Sequence, residues 1–228
     1  MYLYICNYKK INIRNDFNSF ITVNERKKID SYIKYTDRER SLIEIVLLKL
    51  LIYKHCKIPI KDIIIKKNEY GKPYLANNIE FKFNISHSNE LIVIGLDMQN
   101  EIGVDVEFIK EINLESYIKI LKENEIKEIN KRKNKLSSFY EFWTIKESFF
   151  KEEGKGISII DDNYEINIKK SSIVYKNKTI LFTNLDYLKY KICVCSSKID
   201  NLIVIELDNE KFDKLMYDEK MFAKTNFA

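Results

Sequence analysis

The chain has 228 residues, 45% of them hydrophobic and 13% aromatic, with 39 basic against 34 acidic side chains and a net charge of +5. That length can bury one large core or two small ones, and the composition excludes a disordered chain. The mild, dispersed positive charge permits an anionic partner, such as a phosphorylated cofactor or an acidic protein surface, while no Lys/Arg block or basic aromatic repeat marks a nucleic-acid binder.

The opening segment, MYLYICNYKKINIRND, alternates like a strand and turns polar after Cys6; it lacks the apolar region and cleavage site of a signal peptide. The most apolar run, Leu42 to Tyr53, is broken by Glu44 and Lys49 and falls short of the roughly 18 residues a membrane span needs. A soluble, non-exported, cytoplasmic protein is expected. Cys6, Cys56, Cys193 and Cys195 form no C-x-x-C pair and read as buried free thiols in a reducing compartment.

A basic stretch, Asn24 to Lys28, precedes a helix over Arg38–His55, with Thr36 or Asp37 as its N-cap. Its apolar residues lie on most sides, which places it in the core. Ile63 to Ile65 reads as a strand, and Asn68 to Pro73 as a turn punctuated by Gly71 and Pro73. Phe81, Phe83 and Ile85 alternate with polar residues up to Ser86-His87-Ser88. Leu91–Leu96 and Ile102–Val106 look like a hairpin around Asp97 to Asn100.

Leu114 to Ile129 is expected as a charged helix, followed by a loop and a second strong helix over Leu136–Glu153 that stops at Gly154-Lys155-Gly156. Strands are expected at 164–168, 173–175, 180–182, 190–194 and 202–207, then a charged, aromatic tail that reads as a short helix at most, with no function read into it. This order gives two similar halves of helix plus antiparallel strands, an α+β fold. The joint falls near 107–112, dividing the chain into 1–107 and 108–228, with no linker composition between them.

Three short stretches carry chemistry. In Gly103-Val104-Asp105-Val106-Glu107, alternation on a strand sends Asp105 and Glu107 to one face and the valines into the core. Adjacent carboxylates repel unless a cation neutralises them, and hard oxygen ligands suit Mg²⁺; an exposed strand face would look the same. In Phe142-Trp143-Thr144-Ile145-Lys146-Glu147-Ser148-Phe149-Phe150-Lys151, Glu147 and Lys151 are i,i+4 neighbours on a helix. They are either a weak surface pair or, given the surrounding aromatics, part of a half-buried site. His87, between two hydroxyls at a strand end, is open to a structural or a phosphate-contacting role.

Taken in order, Gly71-Lys72-Pro73, Phe83-Asn84-Ile85-Ser86-His87-Ser88, Gly103-Val104-Asp105-Val106-Glu107, Phe142 to Ser148, Lys151 and Gly154-Lys155-Gly156-Ile157-Ser158 resemble the surfactin-synthetase-activating class of 4′-phosphopantetheinyl transferases. The resemblance spans roughly 40–158. It implies two α/β subdomains in a pseudo-two-fold arrangement, with coenzyme A in the cleft between them. It further implies transfer of the phosphopantetheine arm to a serine of an apo acyl, peptidyl or polyketide carrier protein, releasing 3′,5′-adenosine bisphosphate. Asp105, Glu107 and Glu147 are similar to the family's Mg²⁺ ligands (Mn²⁺ being the alternative ion), and Lys151 to the lysine on the pyrophosphate. Ser86 and His87 fall where the family binds phosphate, Arg40 resembles the 3′-phosphate arginine, and Lys72 lies in the loop beside the adenosine. Lys27 and Lys28, with Arg26 competing, fill the upstream basic positions. Glu147 is the expected base and Lys151 the group that assists the leaving phosphate. A chain holding both halves implies a monomer. For carrier docking, Tyr117, Ile118, Ile120 and Leu121 offer an apolar, basic edge, which a plain amphipathic helix would equally explain. The competing functions are a metal-dependent nuclease or phosphodiesterase and a catalytically dead coenzyme A-binding module. Four-residue spacing of Glu147 and Lys151 on a helix argues against the first, and the intact acidic and lysine positions against the second.

Overall fold

The structure is a computed structural model that describes residues 1–114, 120–155 and 163–225. Its elements are β1 (Tyr2–Asn7), α1 (Val23–Asp30), α2 (Tyr35–Cys56), β2 (Ile65–Lys67), β3 (Pro73–Leu75), β4 (Lys82–Ser88), β5 (Leu91–Asp97), β6 (Ile102–Phe108), α3 (Glu123–Lys131), α4 (Lys135–Glu153), β7 (Tyr164–Asn167), β8 (Ser172–Tyr175), β9 (Lys178–Tyr187), β10 (Tyr190–Ser196), β11 (Ile203–Leu207) and α5 (Asn209–Thr225).

Two main sheets stack between two helical layers. The first has the order β11-β1-β5-β4 and the second β6-β10-β9-β8-β7, while β2 and β3 form a separate hairpin. Strand alternation builds the layers. Leu3 and Ile5 of β1 and Leu91 and Val93 of β5 meet Val104, Val106, Ile192 and Val194 of the second sheet in one buried cluster. The opposite faces of β1 and β5, through Tyr4, Cys6, Ile92 and Ile94, pack on α2 and α5. On the far side, Cys193 and Cys195 of β10 pack on Ile145 and Phe149 of α4. Strands buried on both faces read as continuous apolar runs, which accounts for β5 and β10 being buried along their whole length.

The two-subdomain α+β expectation holds, and the tight apolar contact between the halves agrees with the missing linker. Both long helices lie where expected, α4 capped by Asn134 at one end and by Gly154, at φ +70°, at the other. All four cysteines are free, three of them buried.

Several expectations are corrected. α2 starts earlier, from Lys34 without a side-chain cap; Asp37 instead lies in its first turn, where it accepts from Arg40. Ile63 and Ile64 belong to a connection, and the strand begins at Ile65. β5 and β6 are not a hairpin: β5 pairs with β1 and β4, and β6 pairs with β10 in the other sheet. A cut at residue 107 also fails to separate the sheets. β6 belongs to the second, whereas β11 pairs in parallel with β1 and α5 buries Phe212, Leu215 and Met216 against α2. The tail is therefore part of the first half's core. Of the helix expected over 114–129, residues 115–119 lie outside the described residues; Leu114 before them is helical, and after them α3 begins at Glu123. Of the docking residues, Tyr117 and Ile118 lie outside the described residues, Ile120 is exposed, and Leu121 packs inward beside Phe139 and Phe142. Gly156, Ile157 and Ser158 also lie outside the described residues.

Candidate active site

β6 is an edge strand, and its outward N–H groups need partners. β4 supplies them through side chains. Asn84 Oδ1 accepts from the Val104 N–H (3.0 Å), Ser86 Oγ from Val106 (3.4 Å) and Ser88 Oγ from Phe108 (3.0 Å). The same hydroxyls then donate to the carboxylates of β6: Ser86 to Asp105 Oδ1 and Ser88 to Glu107 Oε2, each at 2.9 Å. A hydroxyl can donate one bond and accept two, so Ser86 is fully used when it also accepts from Lys151 Nζ (2.9 Å). This period-two zipper fixes Asp105 and Glu107 on one face, as the strand pattern required.

α4 lies directly on that face. A side chain at Gly103 would place its Cβ 1.9 Å from the Ser148 carbonyl oxygen and 2.4 Å from the Glu152 nitrogen, so only glycine lets β6 approach this closely. The approach brings Lys151 Nζ to 2.7 Å from Asp105 Oδ1. Lys151 thus bonds to Asp105 and Ser86 rather than to its helical neighbour Glu147, and the bland surface-pair reading falls.

The electrostatics follow from crowding. Burial and the nearby Glu107 push the Asp105 carboxyl up to about 6 despite Lys151 and Ser86, and Asp105 Oδ2 is buried with no hydrogen-bond partner. Burial, followed by the charges of Asp105 and Glu107, pushes Glu147 up to about 7. Glu147 and Lys151 wall a cleft of about 370 Å³ together with Asn84, Ile85 and the Tyr70–Pro73 turn. Among the described residues no three of His, Cys, Asp and Glu form a ready metal cage. The residues nonetheless fit a hard cation in two respects: the donors are carboxylate oxygens, and one buried oxygen is orphaned beside mutually repelling charges.

Basic groups gather around His87. His87 is exposed on the face of β4 opposite Ser86, so the two do not act side by side. Partial desolvation, then the charges of Arg40 and Lys151, press its imidazole down to about 4. Arg40 Nε is buried without a partner. Glu44, one turn further along α2, is raised by burial and opposed by Arg40, Lys28 and Lys151, which ties Lys28 to this cluster. Lys27 is exposed beside Lys28 on α1, with nothing among the described residues joining it to the cluster, and Arg26 faces Asp30. Lys72 borders the cleft, but its ammonium is held by Glu101 (2.8 Å) and the Glu152 carbonyl (2.9 Å).

The chain matches known proteins along most of its length. Residues 14–99 match the family described as 4′-phosphopantetheinyl transferase, N-terminal, and residues 101–198 match the 4′-phosphopantetheinyl transferase superfamily. The 4′-phosphopantetheinyl transferase gsp of Aneurinibacillus migulanus is 32% identical over 227 residues, covering 94% of each chain. This chain belongs to the 4′-phosphopantetheinyl transferases. The transferase Sfp of Bacillus subtilis (strain 168) is 32% identical over 160 residues, 69% of this chain and 71% of that one. A more distant relative is the L-aminoadipate-semialdehyde dehydrogenase-phosphopantetheinyl transferase of Rattus norvegicus, 24% identical over 176 residues, 69% of this chain and 57% of its own. Membership removes the nuclease alternative. The join between the two matched regions, near residue 100, coincides with the passage of this transferase from its first sheet to its second.

Reading the sequence missed Asn84 and Ser88 as supports of β6 and Glu44 as a buried acid beside Arg40 and Lys151. The signals were present: three polar residues on one face of β4, and an acid breaking an otherwise apolar helix four residues after Arg40.

Proposed function

We propose that this transferase moves the phosphopantetheine arm of coenzyme A onto a serine of an apo carrier protein, using Asp105, Glu107, Glu147 and Lys151 at the reacting centre. The observation that carries the reading is the Lys151–Asp105 bond, which joins the second-half helix to the carboxylate strand beside Glu147. The serine oxygen bonds to the β-phosphorus of coenzyme A, and the phosphorus–oxygen bond to 3′,5′-adenosine bisphosphate breaks. Glu147, on the wall of the cleft beside Lys151, accepts the serine proton. Lys151 Nζ neutralises or protonates the departing phosphate. Asp105, Glu107 and Glu147 would hold Mg²⁺ or Mn²⁺, which supplies positive charge to the pyrophosphate oxygens when bound. Arg40 and Lys28 support the 3′-phosphate, with Lys27 at the rim. His87 borders the phosphates, Ser86 acts by holding Asp105 and Lys151, and Lys72 borders the adenosine through its backbone turn.

Free buried thiols, and the lack of a helix long and apolar enough to cross a membrane among the described residues, support a cytoplasmic setting. A single chain that carries both halves supports a monomer. The test is incubation with coenzyme A, Mg²⁺ and a panel of apo carriers, read by intact mass. A carrier gaining the phosphopantetheine mass supports the reading, and binding of coenzyme A without transfer to any carrier would identify a binding module instead.

A further inference from the structure

Lys151 sits in the last turn of α4, where helices fray because the final carbonyls have no partner within the helix. Those carbonyls are met here from the other half of the molecule. Asn68 Nδ2 donates to the Gly154 carbonyl (3.0 Å), and Lys72 Nζ donates to the Glu152 carbonyl (2.9 Å). The turn that presents them is itself organised by Asn68, whose Oδ1 accepts from the Tyr70 and Lys72 N–H groups at 3.0 and 2.9 Å. Glu101 completes the assembly, its two oxygens taking Lys72 and Lys82 at 2.8 Å each. Gly154 is held at φ +70°, and a Cβ there would stand 2.9 Å from Lys72 Cδ, so the helix terminus and the turn are in direct contact.

We propose that Asn68 and Glu101 are positioning residues: with Lys72 they clasp the end of α4 and thereby hold Lys151 against Asp105, without touching the reacting atoms. The proposal rests on the transferase reading for its consequence and on these contacts for its geometry. Donors at a helix C-terminus satisfy orphan carbonyls, and a lysine there opposes the negative end of the helix dipole. Misplacing a catalytic group by an ångström is enough to cost rate without changing what binds.

Asn68→Asp separates the clasp from the turn. The aspartate keeps both acceptors for Tyr70 and Lys72 but sets an anion, in place of a donor, against the Gly154 carbonyl. Two readings are taken: amide hydrogen exchange at 151–155 without substrate, and steady-state transfer to an apo carrier. Exchange should quicken about tenfold, and kcat should fall about tenfold while KM for coenzyme A stays within about twofold. Glu101→Ala, at a half-exposed position, should shift both readings in the same direction by about threefold. In a Lys151→Ala background the Asn68→Asp effect on kcat should vanish, because a positioning residue has nothing left to position. Unchanged exchange overturns the proposal, as does faster exchange with unaltered kcat or a loss that persists without Lys151. The exchange reading needs no substrate, so a false clasp shows there, whereas a wild-type chain that transfers nothing overturns the transferase reading.

Discussion

Two lysine–carboxylate pairs of this transferase, Lys49–Glu25 in the first half and Lys151–Asp105 in the second, are opposites. In the first half, Lys49 donates to the Phe20 carbonyl (3.0 Å) and to Glu25 Oε2 (2.6 Å), and Glu25 also accepts from the Thr22 N–H to close a capping box on α1. Burial alone would push the Glu25 carboxyl up, but these bonds outweigh it and leave it below its ordinary range. In the second half, Lys151 and Ser86 serve a single oxygen of Asp105; the other is orphaned, and burial, with Glu107 nearby, raises the carboxyl to about 6. The Lys49–Glu25 pair leaves no buried oxygen orphaned among the described residues. The cleft pair leaves charge uncompensated, which is the condition under which a cationic or phosphate-bearing ligand adds most.

The sharpest break of this comparison is at Glu147. Glu147→Gln is expected to cut kcat by about 10²–10⁴-fold while coenzyme A binding, measured by calorimetry, changes only a few-fold. A steady-state rate near wild type would remove Glu147 from the proton transfer. Lys49→Met should do the converse. Removing one partner of a buried pair costs about 3 kcal/mol of unfolding free energy in denaturant titration, with kcat of the folded enzyme unchanged. A catalytic defect there would erase the distinction between scaffold and site.

The first half's scaffold should also contribute acid sensitivity. His55 packs beside Tyr2 and accepts from or donates to the Tyr4 hydroxyl at 2.9 Å. Burial, followed by the charges of Lys54 and Lys57, lowers its pKa from 6.5 to about 4. The unfolded chain therefore binds this proton first. Its stabilising share is complete above pH 6.5 and disappears as the pH falls towards 4. On the order of 2 kcal/mol should be lost across that window, allowing for partial exposure, and His55→Gln should flatten the slope of stability against pH. An unchanged slope would place the acid sensitivity elsewhere. Ser88→Ala should have the smallest effect: about 1 kcal/mol of stability, for one lost acceptor at Phe108 and one lost donor at Glu107. Its transfer rate should fall less than in the Glu147 variant, and an equal fall would promote Ser88 from support to participant.

What was legible depended on the range of the interaction. Alternation around Asp105 and Glu107 gave the correct shared face because a strand's pleat is local. The i,i+4 spacing of Glu147 and Lys151 was equally local, yet it suggested the wrong partner, since Lys151 Nζ bonds across to Asp105 instead. The supposed hairpin of β5 and β6 failed for the same reason. Adjacent apolar runs joined by a short polar segment look alike whether they pair with each other or turn into different sheets.

By itself the sequence determined the family, both long helices, the carboxylate face of β6 and the burial of the thiols, because periodicity, glycine stops and motif order are written within a few residues of one another. Only the tertiary structure decided that β11 and α5 return to the first core, that β4 side chains pin the edge of β6, and that the Asn68 turn meets the end of α4. Those contacts join residues far apart in the chain, and their choice among chemically equivalent partners is made by packing.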